Sequence, residues 1–319
     1  MGDPAGIGLE IAAKAWQART SSSPVFFLIA DFEAAQRASF GASLRRIKSA
    51  AEAPAVFPEA LPVLPIALAV RESAGQPHAR NAPAIIEAIE RGIALAQSGA
   101  ASALATLPIA KSVLYEAGFA FPGHTEFLAA RTGAARPVML LVGESLRVAL
   151  ASVHVPLAEA AAQLSISGLT ELGRILDLAL RRDFGIAQPR IAMAGLNPHA
   201  GEGGSIGREE IEILNPAAAL LRAEGITITD AQPADSLFHA QARTLYDLVL
   251  AMTHDQGLIP LKTLHFWDGV NVTLGLPIVR TSPDHGTAFA IAGQGIARPD
   301  SLIAALHLAA SIAVRRAAA

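Results

Sequence analysis

The 319-residue chain contains no cysteine, so it has neither a disulfide framework nor a thiolate metal site; any metal must be held by histidine and carboxylate. Charge is sparse at 17 %, and the formal net charge is −3 with no basic cluster, which argues against nucleic acid as a partner. Aromatic residues are few, at 5 %. The apolar runs are broken by charge, glycine or proline before the roughly 20 residues a membrane span needs. The amino terminus shows no charged segment leading into an apolar run, so no secretory signal is expected. What is abundant is apolar residue, 52 %, much of it alanine, which favours closely packed helices. A cytoplasmic globular protein with a large core, in two lobes, is the expectation.

Strand-like runs at 25–29, 103–107, 138–142, 146–152, 190–196 and 248–252 alternate with helical patterns at 81–98, 157–183 and 208–224. This alternation predicts a mainly parallel α/β fold. One hairpin is expected across Gly143-Glu144-Ser145. Residues 315–319 read as a frayed tail. Gly2-Asp3-Pro4-Ala5-Gly6-Ile7-Gly8 feeds a helical pattern at 9–17, and Asp284-His285-Gly286-Thr287-Ala288 with Gly293-Gln294-Gly295 lies near the other end. The first stretch suits an anion at a helix start but is not a dinucleotide fingerprint, since no strand precedes it and the glycine spacing differs.

Histidine carries the chemical signal. His199 sits in Asn197-Pro198-His199-Ala200-Gly201-Glu202-Gly203-Gly204, directly after a predicted strand, where open α/β sheets place their ligands. His154, in Val153-His154-Val155-Pro156, and His254, in Thr253-His254-Asp255-Gln256-Gly257, share such a setting. Three neutral imidazoles on strand ends suit one divalent cation with open positions, zinc, cobalt and others alike; alternatively each satisfies a local backbone group. Asp255 and Asp235 are candidate carboxylates behind these ligands. Lys262, Asn271 and Arg280 suit a phosphate or carboxylate, or are solvated surface groups. His124, Thr125 and Glu126 either bind substrate or begin a helix at 126–130 with Thr125 as its N-cap. Lys111 reads as a polar contact or a solvated turn. His78, His239, His265 and His307 have ordinary contexts.

Six blocks occur in order: Gly-Asp-Pro-Ala-Gly-Ile-Gly (2–8), Gly-His-Thr-Glu-Phe (123–127), Asn-Pro-His-Ala-Gly-Glu-Gly-Gly (197–204), His-Asp-Gln-Gly (254–257), Gly-Val-Asn-Val-Thr-Leu-Gly-Leu-Pro (269–277) and Asp-His-Gly-Thr-Ala-Phe (284–289). Together they resemble the 4-hydroxythreonine-4-phosphate dehydrogenase family of pyridoxal phosphate biosynthesis. The resemblance implies a homodimer of two-lobed α/β/α subunits, isocitrate/isopropylmalate dehydrogenase-like, with mainly parallel sheets and a cleft between lobes completed by the partner. It places the first lobe at 1–122 plus 281–319, on the cofactor side, and the second at 123–280. His154, His199 and His254 match the family's metal ligands, for zinc, cobalt or magnesium. His124, Thr125, Lys262, Asn271 and Arg280 match its substrate-binding positions. His285, Gly286, Thr287, Ala288 and Gly293 resemble the loop that holds NAD or NADP. The implied substrate is a small phosphorylated hydroxy acid, oxidised by hydride transfer and then decarboxylated.

The chain departs from the family pattern at Leu9, where proline is usual, at Ala290, where an acid is common, at Leu107, where asparagine is frequent, and in beginning at Met1-Gly2 without the usual preceding strand. Two rival readings are a sister dehydrogenase of a four-carbon sugar-acid phosphate and a metal- and phosphate-binding paralogue without redox activity.

Overall fold

The computed structural model describes residues 1–121 and 123–318. Among them are eleven strands: β1 (Leu28–Ala30), β2 (Leu44–Arg46), β3 (Leu61–Pro65), β4 (Leu104–Ala105), β5 (Val138–Val142), β6 (Arg147–Leu150), β7 (Arg190–Met193), β8 (Thr227–Ile228), β9 (Leu248–Ala251), β10 (Val270–Leu274) and β11 (Arg280–Pro283). The chain divides into two compact units, Met1–Pro137 with Leu276–Ala313, and Val138–Gly275 with the residues from Val314 onward. Residues 123–137 and 276–280, expected in the second lobe, therefore group with the first unit, and the chain's last residues group with the second. The expected boundary residue Pro122 and the terminal Ala319 lie outside the described residues.

In the first unit β1 and β2 flank β3 in parallel, and β11 pairs with β4 in parallel. Helix Gly8–Gln17 is buried almost all round, from Leu9 through Trp16, whereas helix Ala82–Gln97 buries Ile85, Ile89 and Ile93. The four-residue spacing of the second set is the one that lays apolar side chains along one helical stripe.

The second unit orders its strands β10-β5-β6-β9-β7-β8. β6, β9, β7 and β8 run parallel, while β5 is antiparallel to both neighbours. The predicted hairpin is present, closed by the Gly143 amide donating to the Leu146 carbonyl at 2.8 Å. Every residue of β9 is buried, as befits a parallel strand covered on both faces. Each such buried leucine or valine stabilises the fold by about 1.5–3 kcal/mol.

The helical pattern at 157–183 is in fact two helices, Leu157–Gln163 and Ile166–Arg182. Ser165 breaks it by turning extended and accepting a 3.1 Å bond from the Gly168 amide, a side-chain N-cap. The pattern at 208–224 opens with a π turn, Glu210–Leu214, before helix Asn215–Ala223. Residues 315–318 are no frayed tail: helix Asp300–Ala318 includes them, and Arg316 pairs with buried Asp183 at 2.8 Å. By length and composition that helix could cross a membrane, but it buries Leu302, Ala305, Ala309 and Ile312 along one face.

Candidate functional site

Three adjacent strands of the second unit set up the histidines. β6, β9 and β7 are parallel neighbours in register, with Leu150 opposite Ala251 and Met193 opposite Leu250. Just beyond them the Ser152 amide still donates to the Met252 carbonyl. His154 and His254 follow within two residues of that bond, so strand spacing alone brings them together. Their ring centroids are 5.7 Å apart. Two imidazoles bound tetrahedrally to one cation at the usual nitrogen–metal bond lengths place their centroids about 5 Å apart, so the pair is spaced close to what a shared ion needs.

The His254-Asp255-Gln256-Gly257 segment explains itself residue by residue. The Nδ1 of His254 lies 2.7 Å from Asp255 Oδ1, so Nε2 is the ring nitrogen left available to a ligand. Gln256 accepts from the Met252 amide at 2.8 Å and donates to the Gly195 carbonyl at 2.7 Å, tying the end of β9 to the end of β7. Gly257 lies where a Cβ would fall 2.5 Å from Val148, so only glycine lets helix His254–His265 pack onto β6. Lys262 lies two turns further along that helix, roughly 12 Å at the usual rise, with its ammonium 5.8 Å from the Phe266 ring centroid.

His199 stands on different backbone. In the turn Pro198–Gly204, residues 199 to 204 all have positive φ, including the non-glycines His199, Ala200 and Glu202. His199 is exposed, and among the described residues no three histidine or acidic side chains form a metal cage within the chain. The structure thus joins two of the three predicted ligands and leaves the third on its own turn. Asp235 is exposed on the short turn Ala234–Ser236, which packs against Pro198–Gly204.

The first unit gathers cations instead. Arg280 opens β11 and is 3 % exposed, with its guanidinium donating to Thr106 Oγ1 at 2.6 and 3.1 Å; burial pushes its pKa down to about 10. His124 starts helix His124–Thr132. Burial first, then the positive charge of Arg280 and, to a smaller extent, Lys111, holds its imidazole well below the ordinary value, so it is neutral near pH 7. Thr125 is not the N-cap: that position belongs to Gly123, and Thr125 lies inside the first turn.

The two glycine-rich stretches meet. The Ile7 amide donates to the Thr287 carbonyl at 3.0 Å, and a Cβ on Gly6 would lie 2.9 Å from the same oxygen. Ala288 takes φ 46° and Gly293 φ 77°, so the loop holding His285, Gly286, Thr287, Ala288 and Gly293 exposes backbone in unusual orientations. Among the described residues seven buried polar side-chain atoms lack a hydrogen-bond partner, and three belong to predicted site residues: His124 Nε2, Asn271 Oδ1 and His285 Nε2. Buried polar atoms are ordinarily satisfied, so a ligand is a natural partner for each.

Sequence reasoning saw Asn197 and Gln256 only as members of their motifs, and missed Glu210 entirely. Glu210 left a readable trace: it occupies the buried stripe shared with Leu214, Ala217, Ala218 and Leu221, where the helical period calls for an apolar residue.

The family described as pyridoxal phosphate biosynthetic protein PdxA matches residues 22–309. A relative from Caulobacter vibrioides, named 4-hydroxythreonine-4-phosphate dehydrogenase, is 56 % identical over 99 % of this chain and 96 % of its own. One of the same name from Maricaulis maris is 54 % identical, covering 99 % and 97 %. The crystal structure of a 4-hydroxythreonine-4-phosphate dehydrogenase from Klebsiella pneumoniae is similar with a TM-score of 0.86 at 40 % identity, over 98 % of this chain and 96 % of that one.

Proposed function

The chain belongs to the family of the pyridoxal phosphate biosynthetic protein PdxA, and from that premise we propose that it oxidises 4-phosphooxy-L-threonine with NAD or NADP. The product, 2-amino-3-oxo-4-phosphooxybutanoate, loses carbon dioxide to give 3-amino-2-oxopropyl phosphate. The observation that carries this reading is the His154–His254 pair at 5.7 Å, with Asp255 behind His254.

His154, His254 and His199 would hold the divalent cation, with zinc, cobalt and magnesium as candidates. When bound, the cation supplies Lewis acidity at the substrate's secondary hydroxyl, while the nicotinamide takes the hydride. Asp255 fixes the tautomer and orientation of His254. Arg280, desolvated by burial, gives an anionic end of the substrate a strong, directional partner. Neutral His124 contributes its unpartnered Nε2 without adding charge, and Thr125 adds a hydroxyl one residue on. Lys262 and Asn271 anchor a second polar end, and residues 285–288 with Gly293 hold the dinucleotide. Fixing both ends of the substrate orients the reacting carbon, the part of catalysis that binding groups supply.

The exposed ligands His154 and His199 suit a site completed by a second copy in a homodimer. Ile259, Phe266 and Trp267, 65 %, 61 % and 51 % exposed on or beside the helix that His254 begins, offer apolar surface for that contact. A cytoplasmic location accords with the role.

The test is NADH formation by protein stripped with chelator and reloaded with Zn²⁺, Co²⁺ or Mg²⁺. Turnover of 4-phosphooxy-L-threonine is expected only after reloading. No reduction of NAD or NADP under any loading would sink the reading, and faster turnover of the corresponding tetronate phosphate would reassign the substrate.

A further inference from the structure

We infer that Glu210 and Asn197 are positioning residues: they lock the left-handed turn Pro198–Gly204 and thereby aim His199 at the cation. This rests on the metal reading above and goes beyond it.

The turn is costly. His199 (φ 51°), Ala200 (φ 50°) and Glu202 (φ 44°) hold the left-handed region with side chains attached, and Gly201, Gly203 and Gly204 continue it. The left-handed helical conformation is unfavourable for every residue that carries a side chain, and here three such residues adopt it in one turn. Such a conformation persists only where its surroundings over-determine it. Beyond the turn's own helical bonds, the backbone adds the Ala200 amide to the Asn197 carbonyl, Ser205 to Glu202 and Ile206 to Gly201.

What over-determines it is a buried carboxylate. Glu210, 2 % exposed, accepts from the Asn197 amide with Oε1 at 2.7 Å and from Asn197 Nδ2 with Oε2 at 3.0 Å. Asn197 Nδ2 also donates to Glu209 Oε2 at 2.7 Å, so both donors of the residue two before His199 are engaged. The turn is then moulded onto this pair. A Cβ on Gly201 would lie 2.7 Å from Glu210 Oε2, and one on Gly207 would lie 2.2 Å from Asn197 Nδ2. Glycine is present at the two places where the network fills the space a side chain would need.

Glu210 also opens the π turn Glu210–Leu214, a helix irregularity that is rare and concentrates at functional sites. Burying a carboxylate against amide donors is expensive, and a loop that needed only to turn could use glycine at 199, 200 and 202 without strain. The arrangement makes sense if the direction of the His199 side chain is what is being held.

The experiment is a Co²⁺ titration of the intact protein, read from visible d–d absorption, on the parent and on Glu210→Gln, Asn197→Ala and His199→Ala. Thermal unfolding is recorded for each, with Ser165→Ala as a control that loses a helix cap elsewhere. Glu210→Gln and Asn197→Ala are expected to raise the Co²⁺ Kd about 10- to 100-fold, the usual effect of removing a group behind a metal ligand. Their spectra should move toward that of His199→Ala. Ser165→Ala should lower Tm and leave the Co²⁺ Kd and spectrum unmoved. Should Glu210→Gln fail to fold, Asn197→Ala, which keeps the carboxylate and its bond to the backbone amide, carries the test. Parent-like affinity and spectrum in the variants, with His199→Ala impaired, overturns the positioning role alone. Failure of the parent to bind, or parent-like binding by His199→Ala, overturns the metal reading and this inference with it.

Discussion

In the second unit the candidate ligands His154 and His199 are exposed, as is Asp255 beside His254, while Gln256 and the buried Glu210 with Asn197 hold the loops that carry them. In the first unit the order is reversed. Arg280 is 3 % exposed and the Nε2 of His124 is shut away from solvent with no partner. One region is a set of aimed, water-accessible donors that needs something from outside to complete it. The other is a buried arginine and a buried, unpartnered imidazole nitrogen, whose desolvation is already built into the fold. Aimed donors suit an ion that must be loaded, whereas a desolvated cation suits an anion that must be recognised.

The strongest way to break this contrast is to disable each region alone. His254→Ala should abolish Co²⁺ binding and reduce NADH formation to background, while inorganic phosphate still raises Tm. Arg280→Met should do the converse, keeping the Co²⁺ Kd. It should lose roughly 10- to 100-fold in kcat/KM, since a hydrogen bond to a charged group contributes about 1.5–3 kcal/mol. If each variant disturbs both ligands equally, the two regions are not separable.

Asp255→Asn is the next sharpest cut. It keeps the shape but weakens the hold on His254 Nδ1, and the Co²⁺ Kd should rise about 10- to 100-fold without loss of phosphate binding.

The buried region carries its own pH signature. His124 is held below the ordinary value of 6.5, so between its folded pKa and 6.5 the unfolded chain binds a proton that the folded chain refuses. Stability from this source is complete above pH 6.5 and is lost as pH falls toward the folded pKa. Tm measured from pH 7.5 down to 5 should therefore fall more steeply in the parent than in His124→Asn.

The smallest effect concerns helix starts. Ser165→Ala should cost about 1 kcal/mol in urea unfolding because its hydroxyl caps the Gly168 amide. Thr125→Ala should cost less than about 0.5 kcal/mol, since Thr125 lies inside its helix.

Much of the second unit was legible in the sequence. The run 138–142 became β5 with the predicted bounds, the hairpin formed where Gly143 allowed it, and the strands before His154 and His254 were foreseen. The meeting of the two histidines was expected from their shared setting and the family resemblance, but strand order alone says nothing about β6 and β9 being neighbours. Strands β2 and β3 escaped notice because β2 is the mostly polar Leu-Arg-Arg and β3 carries two prolines, and the segment of β10 was noted only as part of a motif. The break at Ser165 was hidden by helical spacing that continues through it. Arg280 illustrates the limit best. An arginine beside an apolar run reads as edge or surface, and only the pairing of β11 with β4 reveals that it is interior.

Gln256 has a mechanical consequence. One amide group bridges the Met252 N–H and the Gly195 carbonyl, so the approach to the His199 turn and the start of the His254 helix are geared together. Protection of the Met252 amide from solvent exchange is therefore a gauge of that gearing, slowing whenever an occupant stiffens either loop.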